Sequence, residues 1–277
     1  MFKQALLKAL NIGANPDWLQ QKSLNLLQKF GNLSYEQSLA LQIIDRPHYG
    51  YCVYHSAALA KKLGYSRISV VEFGVAGGNG LINLEYHAEQ VSKIFGIDID
   101  IYGFDTGEGL PKPIDYRDLP YHWQESFFKM NIPELKNRLT KAQLVLGDIR
   151  ETVTNFFQEY QPAPIAAMFH DFDYYSSTIA AFKMFDEDEK YLLPRIYCYL
   201  DDVIGSEIEL YNDYTGIRLA VNEFNENHSL KKLSPAYHLL TRQHLKTWYH
   251  QIYIYHDFSH SKYNQFISSD AQQLPLQ

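Results

Sequence analysis

His170-Asp171-Phe172-Asp173-Tyr174-Tyr175 and Tyr199-Leu200-Asp201-Asp202-Val203 set four carboxylates in two short runs, each directly after an apolar stretch. Brought together, four such anions repel strongly unless a proton or a cation neutralises them. Oxygen ligands alone, with no paired cysteines, point to a hard divalent cation, Mg2+, Mn2+ or Ca2+, rather than zinc. Asp171, Asp173, Asp201 and Asp202 are the candidate metal ligands. An ion held there has positions left for neighbouring substrate hydroxyls and lowers their pKa toward an alkoxide. The alternative splits the set, with one aspartate capping a helix, another binding ligand and the rest facing solvent. His170, of a residue type that titrates near neutrality, is either a general base for that chemistry or a hydrogen-bonded structural residue.

A second chemical signal lies upstream, where Val70-Val71-Glu72-Phe73-Gly74 runs on to Gly77-Gly78-Asn79-Gly80 in the order E-x-G-x-x-x-G-x-G. Glycines at 74, 78 and 80 allow positive φ and close approach of a ligand to bare backbone, and helix N–H groups beyond the turn can receive an anion. The dinucleotide fingerprint G-x-G-x-x-G fits badly, since its third glycine falls on Asn83. The spacing suits S-adenosylmethionine better than NAD. Glu72, Gly74, Gly78 and Gly80 are therefore cofactor-binding candidates, against the plainer reading of a strand-to-helix turn. Asp105, in Gly103-Phe104-Asp105-Thr106-Gly107, either accepts both hydroxyls of a ribose or caps a turn. Asp148, in Leu146-Gly147-Asp148, either accepts from an adenine amine or caps the helix starting near Glu151.

These acids need a scaffold that collects them. Ile68–Phe73, Ile99–Phe104, Ala142–Leu146, Ile165–Phe169 and Ile196–Leu200 read as strands, each with an acid at or just past its end, and helix-length segments separate them. Strands this apolar predict a parallel sheet covered on both faces, with ligands beyond its carboxyl edge. The helix leaving the glycine turn spans Leu81–Val91, and Trp248–His256 alternates as a late antiparallel strand. Lys112–Phe128, rich in aromatics, is a candidate lid over the pocket, and Leu135–Leu139 a connecting helix. Residues 1–65 read as an N-terminal helical extension, 66–263 as the main domain and 264–277 as a polar tail.

The chain of 277 residues is 46% hydrophobic, enough for a large core. Its net charge of −7 opposes a phosphate-binding surface, so nucleic acid is not an expected partner. Only Cys52 and Cys198 are present, which excludes a disulfide framework and suits a reducing cytosol. The Met1–Leu10 stretch is amphipathic and no apolar run approaches bilayer length, so a soluble cytoplasmic protein with no membrane partner is expected. Unpartnered apolar faces on the first helices leave room for a homo-oligomer.

Val71-Glu72-Phe73-Gly74-Val75 with Gly78 and Gly80, Gly103-Phe104-Asp105 leading to Glu108-Gly109-Leu110-Pro111, Leu146-Gly147-Asp148 with Thr152, Asp171-Phe172-Asp173-Tyr174-Tyr175-Ser176-Ser177-Thr178 and Asp201-Asp202 form an ordered set. Together they resemble the macrocin O-methyltransferase family, metal-dependent class I S-adenosylmethionine methyltransferases acting on sugar hydroxyls. The resemblance covers roughly Tyr49 to Gly205. It implies an α/β, Rossmann-like fold with a mostly parallel seven-stranded sheet and helices on both faces. It further implies that the glycine turn and Asp105 hold S-adenosyl-L-methionine, and that Asp201, Asp202 and one or both of Asp171 and Asp173 hold Mg2+. The acceptor hydroxyl, on a sugar or another small molecule, is then deprotonated by Asp173 or His170 and attacks the sulfonium methyl. Thr106-Gly107 departs from the family's Ser-Phe and Val203 from its aromatic, changes that fall on the acceptor pocket. Two other readings stand beside this one: a NAD(P)-dependent reductase or epimerase, disfavoured by the missing glycine and by the absence of a Tyr-x-x-x-Lys pair, and a catalytically silent nucleotide-binding protein.

Overall fold

The computed structural model describes residues 32–242 and 245–268, so the expected helices of residues 1–31 and the end of the polar tail lie outside the described residues. Parallel pairing joins β1 (Arg67–Phe73), β2 (Asp98–Asp105), β3 (Gln143–Leu146), β4 (Ile165–His170) and β5 (Leu192–Leu200). β6 (Lys231–Pro235) and β7 (Ile252–Asp257) complete a seven-stranded sheet of order β3-β2-β1-β4-β5-β7-β6, with β7 antiparallel to both its neighbours. This is the Rossmann-like, mostly parallel arrangement that the apolar strands call for. The central strands β1 and β4 are buried along nearly their whole length, which requires cover on both faces.

That cover comes from two groups of helices. After α1 (Tyr35–Ala40), α2 (Pro47–Lys62) packs on β4, β5 and α3 (Asn79–Phe95). On α3, Leu81, Leu84, Ala88 and Val91 recur at helical spacing and are buried as one stripe. After the short α4 (Ile132–Arg138), α5 (Ile149–Tyr160), α6 (Tyr175–Phe182) and α7 (Gly216–Asn227) pack in succession as a second group. No helix among the described residues is long and apolar enough to cross a membrane.

Two expectations shift. The late strand starts at Ile252, because Thr247–Gln251 forms a 3-10 turn. β6 has no counterpart in the sequence reading: Lys231-Lys232-Leu233-Ser234-Pro235 buries Leu233 alone, and lysine and proline are what an outer strand tolerates.

Three histidines lie where α2 and α3 meet the core. His87 is fully buried, its Nδ1 accepting from the Tyr35 hydroxyl at 2.9 Å and its Nε2 donating to the Asp45 carbonyl at 3.1 Å. Burial lowers His48 to about 3, His55 to about 4 and His87 to about 4. An unfolded chain takes up these protons near pH ~6.5 and the fold does not, so stability is complete above that value and is lost as pH falls toward the folded values. Buried acids with raised proton affinity act in the opposite sense over the same range, so the histidines are read ring by ring: between about pH 7.5 and about pH 4.5 their NMR shifts are expected to stay those of neutral imidazoles. Titration of any of the three rings near pH ~6.5 would contradict its neutral burial.

Candidate functional site

A cavity of about 370 Å³ opens at the carboxyl edge of the sheet, across the β1/β4 junction where the strand order reverses. This is where open α/β sheets bind ligands. Every parallel strand contributes to its wall: Gly74 and Ala76 after β1, Asp105 and Thr106 at the end of β2, Gly147 and Asp148 after β3, Asp171 and Asp173 after β4, and Asp201 after β5. The segment between β2 and α4 covers it with Leu110, Pro111, Ile114, Trp123 and Phe128, and Lys112 stands on the same wall. Trp123 brings a buried indole Nε1–H with no partner in the protein.

Gly74 ends β1 at φ +80°, its N–H donating to the Phe104 carbonyl at 2.9 Å. Asp105 accepts from the Ala76 N–H through Oδ2 at 2.9 Å and from the Gly107 N–H through Oδ1 at 2.6 Å. A carboxylate has about four acceptor positions, so those bonds pin the two loops and still leave lone pairs for hydroxyls of a ligand. Asp148 caps α5, accepting from the Arg150 N–H at 2.8 Å and pairing with the Arg150 guanidinium, while it also lines the cavity.

Across the cavity, Asp171, Asp201 and Asp202 offer carboxylate oxygens that all lie within 4.8 Å of one another. Like charges at that separation repel by roughly 3 to 4 kcal/mol per pair at an effective dielectric constant of ~20. Burial first, then the charges of Asp201 and Asp202, hold Asp171 well above the usual carboxylate range. Burial and Asp201 likewise raise Asp202, against the opposing hydrogen bonds from the Asp173 N–H to Oδ2 at 2.9 Å and from the Tyr211 hydroxyl to Oδ1 at 3.1 Å. Asp201 is oriented by Gln251, whose Nε2 donates to Oδ1 at 3.1 Å and to the carbonyl at 2.7 Å, and by the Tyr199 hydroxyl. Among the described residues no lysine or arginine pairs with any of the three. An oxygen-only set of mutually repelling, partly desolvated carboxylates fits a hard divalent cation.

Several sequence candidates stand elsewhere than expected. Asp173 is not in the convergent trio; it sits beside it at φ +62°, on the cavity wall, its backbone N–H given to Asp202. His170 does not face the cavity. It is fully buried, its ring stacked on Phe73 at 4.8 Å and edge-on to Phe182 at 5.4 Å, with both nitrogens unpartnered. Burial lowers it to about 3, so the general-base expectation for His170 fails on access: the ring is enclosed between Phe73 of β1 and Phe182 of α6, off the cavity wall. Glu72 is also absent from the wall, being 2% exposed, with Oε1 accepting from the Tyr49 hydroxyl at 2.7 Å. A Cβ on Gly80 would lie 1.8 Å from that Oε1, so Glu72 and Gly80 seat the start of α3. Gly78 packs under Leu135, and the turn meets the cavity at Gly74 and Ala76.

Tyr211, Gln251, Tyr199 and Asp118 went unnoticed in the sequence as functional candidates. Each acts through a partner distant in the chain or through an ordinary residue type, and no motif marks them.

Fold and site together define a class: a Rossmann-like α/β chain whose carboxyl-edge cavity adjoins a carboxylate trio. No protein-family model matches the chain, and no curated protein matches it. Among solved structures it is similar to the calicheamicin methyltransferase CalS11, 20% identical over 92% of this chain and 91% of that one, with a TM-score of 0.48. The O-methyltransferase NovP is 15% identical over 75% of this chain and 77% of that one, also with a TM-score of 0.48.

Proposed function

We propose that this chain is an S-adenosylmethionine-dependent, Mg2+-dependent (or Mn2+-dependent) O-methyltransferase acting on a hydroxyl of a sugar or another small hydroxylated acceptor. One observation carries the reading: Asp171 and Asp201 line the same cavity as Gly74, Asp105 and Asp148, and a carboxylate oxygen of Asp202 lies within 4.8 Å of theirs. S-adenosylmethionine would supply an electrophilic methyl group, and a divalent cation on Asp171, Asp201 and Asp202 would favour the alkoxide form of a bound hydroxyl.

The chain's own residues divide the remaining work. Asp105 accepts the ribose hydroxyls with the lone pairs left over from Ala76 and Gly107. Asp148, already fixed by Arg150, borders the base end of the cleft. Asp173, on the cavity wall beside the trio, takes the proton of the acceptor hydroxyl at a carboxylate oxygen. Leu110, Ile114, Trp123 and Phe128 exclude water and hold the acceptor in line with the methyl group.

Calorimetry with S-adenosylhomocysteine tests the cofactor half. The unaltered chain is expected to bind it, and Asp105→Asn to bind roughly tenfold to a hundredfold more weakly, as loss of a charged acceptor implies. Binding of NADH in its place would favour the reductase or epimerase reading. Tight binding with no methylation across a panel of hydroxylated acceptors would favour a silent nucleotide-binding protein.

A further inference from the structure

Asp118 is a charged residue 1% exposed, in the 3-10 turn Tyr116–Asp118 of the covering segment, outside the cofactor and carboxylate sets. Its Oδ1 accepts from the Ser176 N–H at 2.8 Å, and its Oδ2 accepts both from the Ser176 hydroxyl at 2.9 Å and from the Ile114 N–H at 2.9 Å. Ser176 lies in the first turn of α6, whose own N-cap, Tyr174, gives no side-chain hydrogen bond, so Asp118 caps that helix from another part of the chain. A carboxylate at a helix start is favoured by the exposed N–H groups and the helix dipole.

The two partner residues are not arbitrary. Ile114 and Ser176 are both cavity wall, and α6 follows directly on Asp171-Phe172-Asp173. Beside Asp118, the Arg117 guanidinium lies 4.5 Å from the Tyr175 ring centroid and donates to its hydroxyl at 3.2 Å. Further along the covering segment, the Tyr121 hydroxyl donates to the Glu209 carbonyl at 2.5 Å, in the loop that carries Tyr211 to Asp202. The cover is thus tied at two points to the segments that present the acids.

We propose that Asp118 is a positioning residue for the acceptor, fixing Ile114 and Ser176 as one rigid wall of the cavity that the carboxylates also line; the assignment rests on methyl transfer taking place in this cavity. Asparagine cannot reproduce the three-bond pattern, because its amide nitrogen presents a donor to donors. In Asp118→Asn, hydrogen exchange at residues 110–118 and at Ser176 is expected to accelerate roughly tenfold, while exchange in β1 stays unchanged. The acceptor KM is expected to rise roughly tenfold, with kcat within about threefold and affinity for S-adenosylhomocysteine within about twofold. Ser176→Ala, which removes one bond of the three, serves as a milder second variant with about a threefold rise in KM. Unchanged exchange at 110–118 overturns the proposal, as does an unchanged acceptor KM in an active variant, or cofactor affinity that falls in step with acceptor affinity. An unaltered protein that methylates no acceptor sinks the functional reading separately, and exchange alone then decides whether Asp118 holds the wall.

Discussion

On the proposed metal-dependent methyl transfer, Asp171→Asn is expected to lower turnover at least about a hundredfold while making the metal-free protein more stable. Loss of a supporting contact around a metal ligand already costs about tenfold to a hundredfold, and a ligand itself costs more. The opposite sign on stability has an electrostatic origin. Asp171 stands within 4.8 Å of the oxygens of Asp201 and Asp202, and burial and those neighbours disfavour its charge. The amide keeps the shape and removes that repulsion, a gain of about 1 to 2 kcal/mol, or roughly 2 to 4 °C in Tm for a chain of this size. Excess Mg2+ should then raise the Tm of the unaltered protein and leave the variant nearly unmoved. Thermal unfolding in EDTA and in Mg2+, together with turnover, checks all three. If the variant turns over normally, or if the unaltered protein's Tm ignores both Mg2+ and Mn2+, the trio does not hold a metal.

Gly74→Ala carries the second large effect. The residue sits at φ +80°, and a Cβ there would lie 1.8 Å from the Asp171 backbone carbonyl oxygen. A side chain could rotate away; a carbonyl at the end of β4, whose own N–H is bonded to the Phe73 carbonyl at 3.0 Å, cannot without parting β1 from β4. Left-handed backbone in a non-glycine residue and overpacking each cost about 1 to 3 kcal/mol, so a loss of roughly 3 kcal/mol or more is expected. Binding of S-adenosylhomocysteine should fall with it, because the same displacement moves the cavity wall. Gly77→Ala is the control, as a Cβ at Gly77 meets nothing within 4 Å. Denaturant unfolding of the two variants separates close approach from a general dislike of alanine in the turn. Equal midpoints would remove the constraint claimed for Gly74.

Much of this molecule is legible residue by residue. The apolar runs of β1, β4 and β5 are local signals, since strands buried on both faces need near-continuous apolar residues, and parallel pairing then places their ends along one edge. Asp105 and Asp148 stand out for a related reason: Asp105 closes β2 two residues before Gly107, Asp148 follows β3 after Gly147, and the glycines mark sharp exits. The legible part stops at side-chain direction. His170 and Asp171 are neighbours in sequence, yet one is enclosed by Phe73 and Phe182 and the other joins the trio, because successive residues leaving a strand point to opposite sides. Asp173 misses the trio for a similar local cause, a left-handed backbone at φ +62° that turns its N–H toward Asp202.

By itself the sequence determined the five parallel strands, the order of their acids and the oxygen donors at their ends, because propensity, periodicity and donor chemistry belong to single residues and their near neighbours. Only the tertiary structure decided which three acids converge, which residues orient them and how the cover is tied down. Tyr211 on Asp202, Gln251 on Asp201 and Asp118 on Ser176 are contacts between segments 9, 50 and 58 residues apart, created by chain crossing and packing. Nothing in a residue's type announces such a partner, since hydrogen-bond capacity is common to many side chains and direction is set by the fold around them.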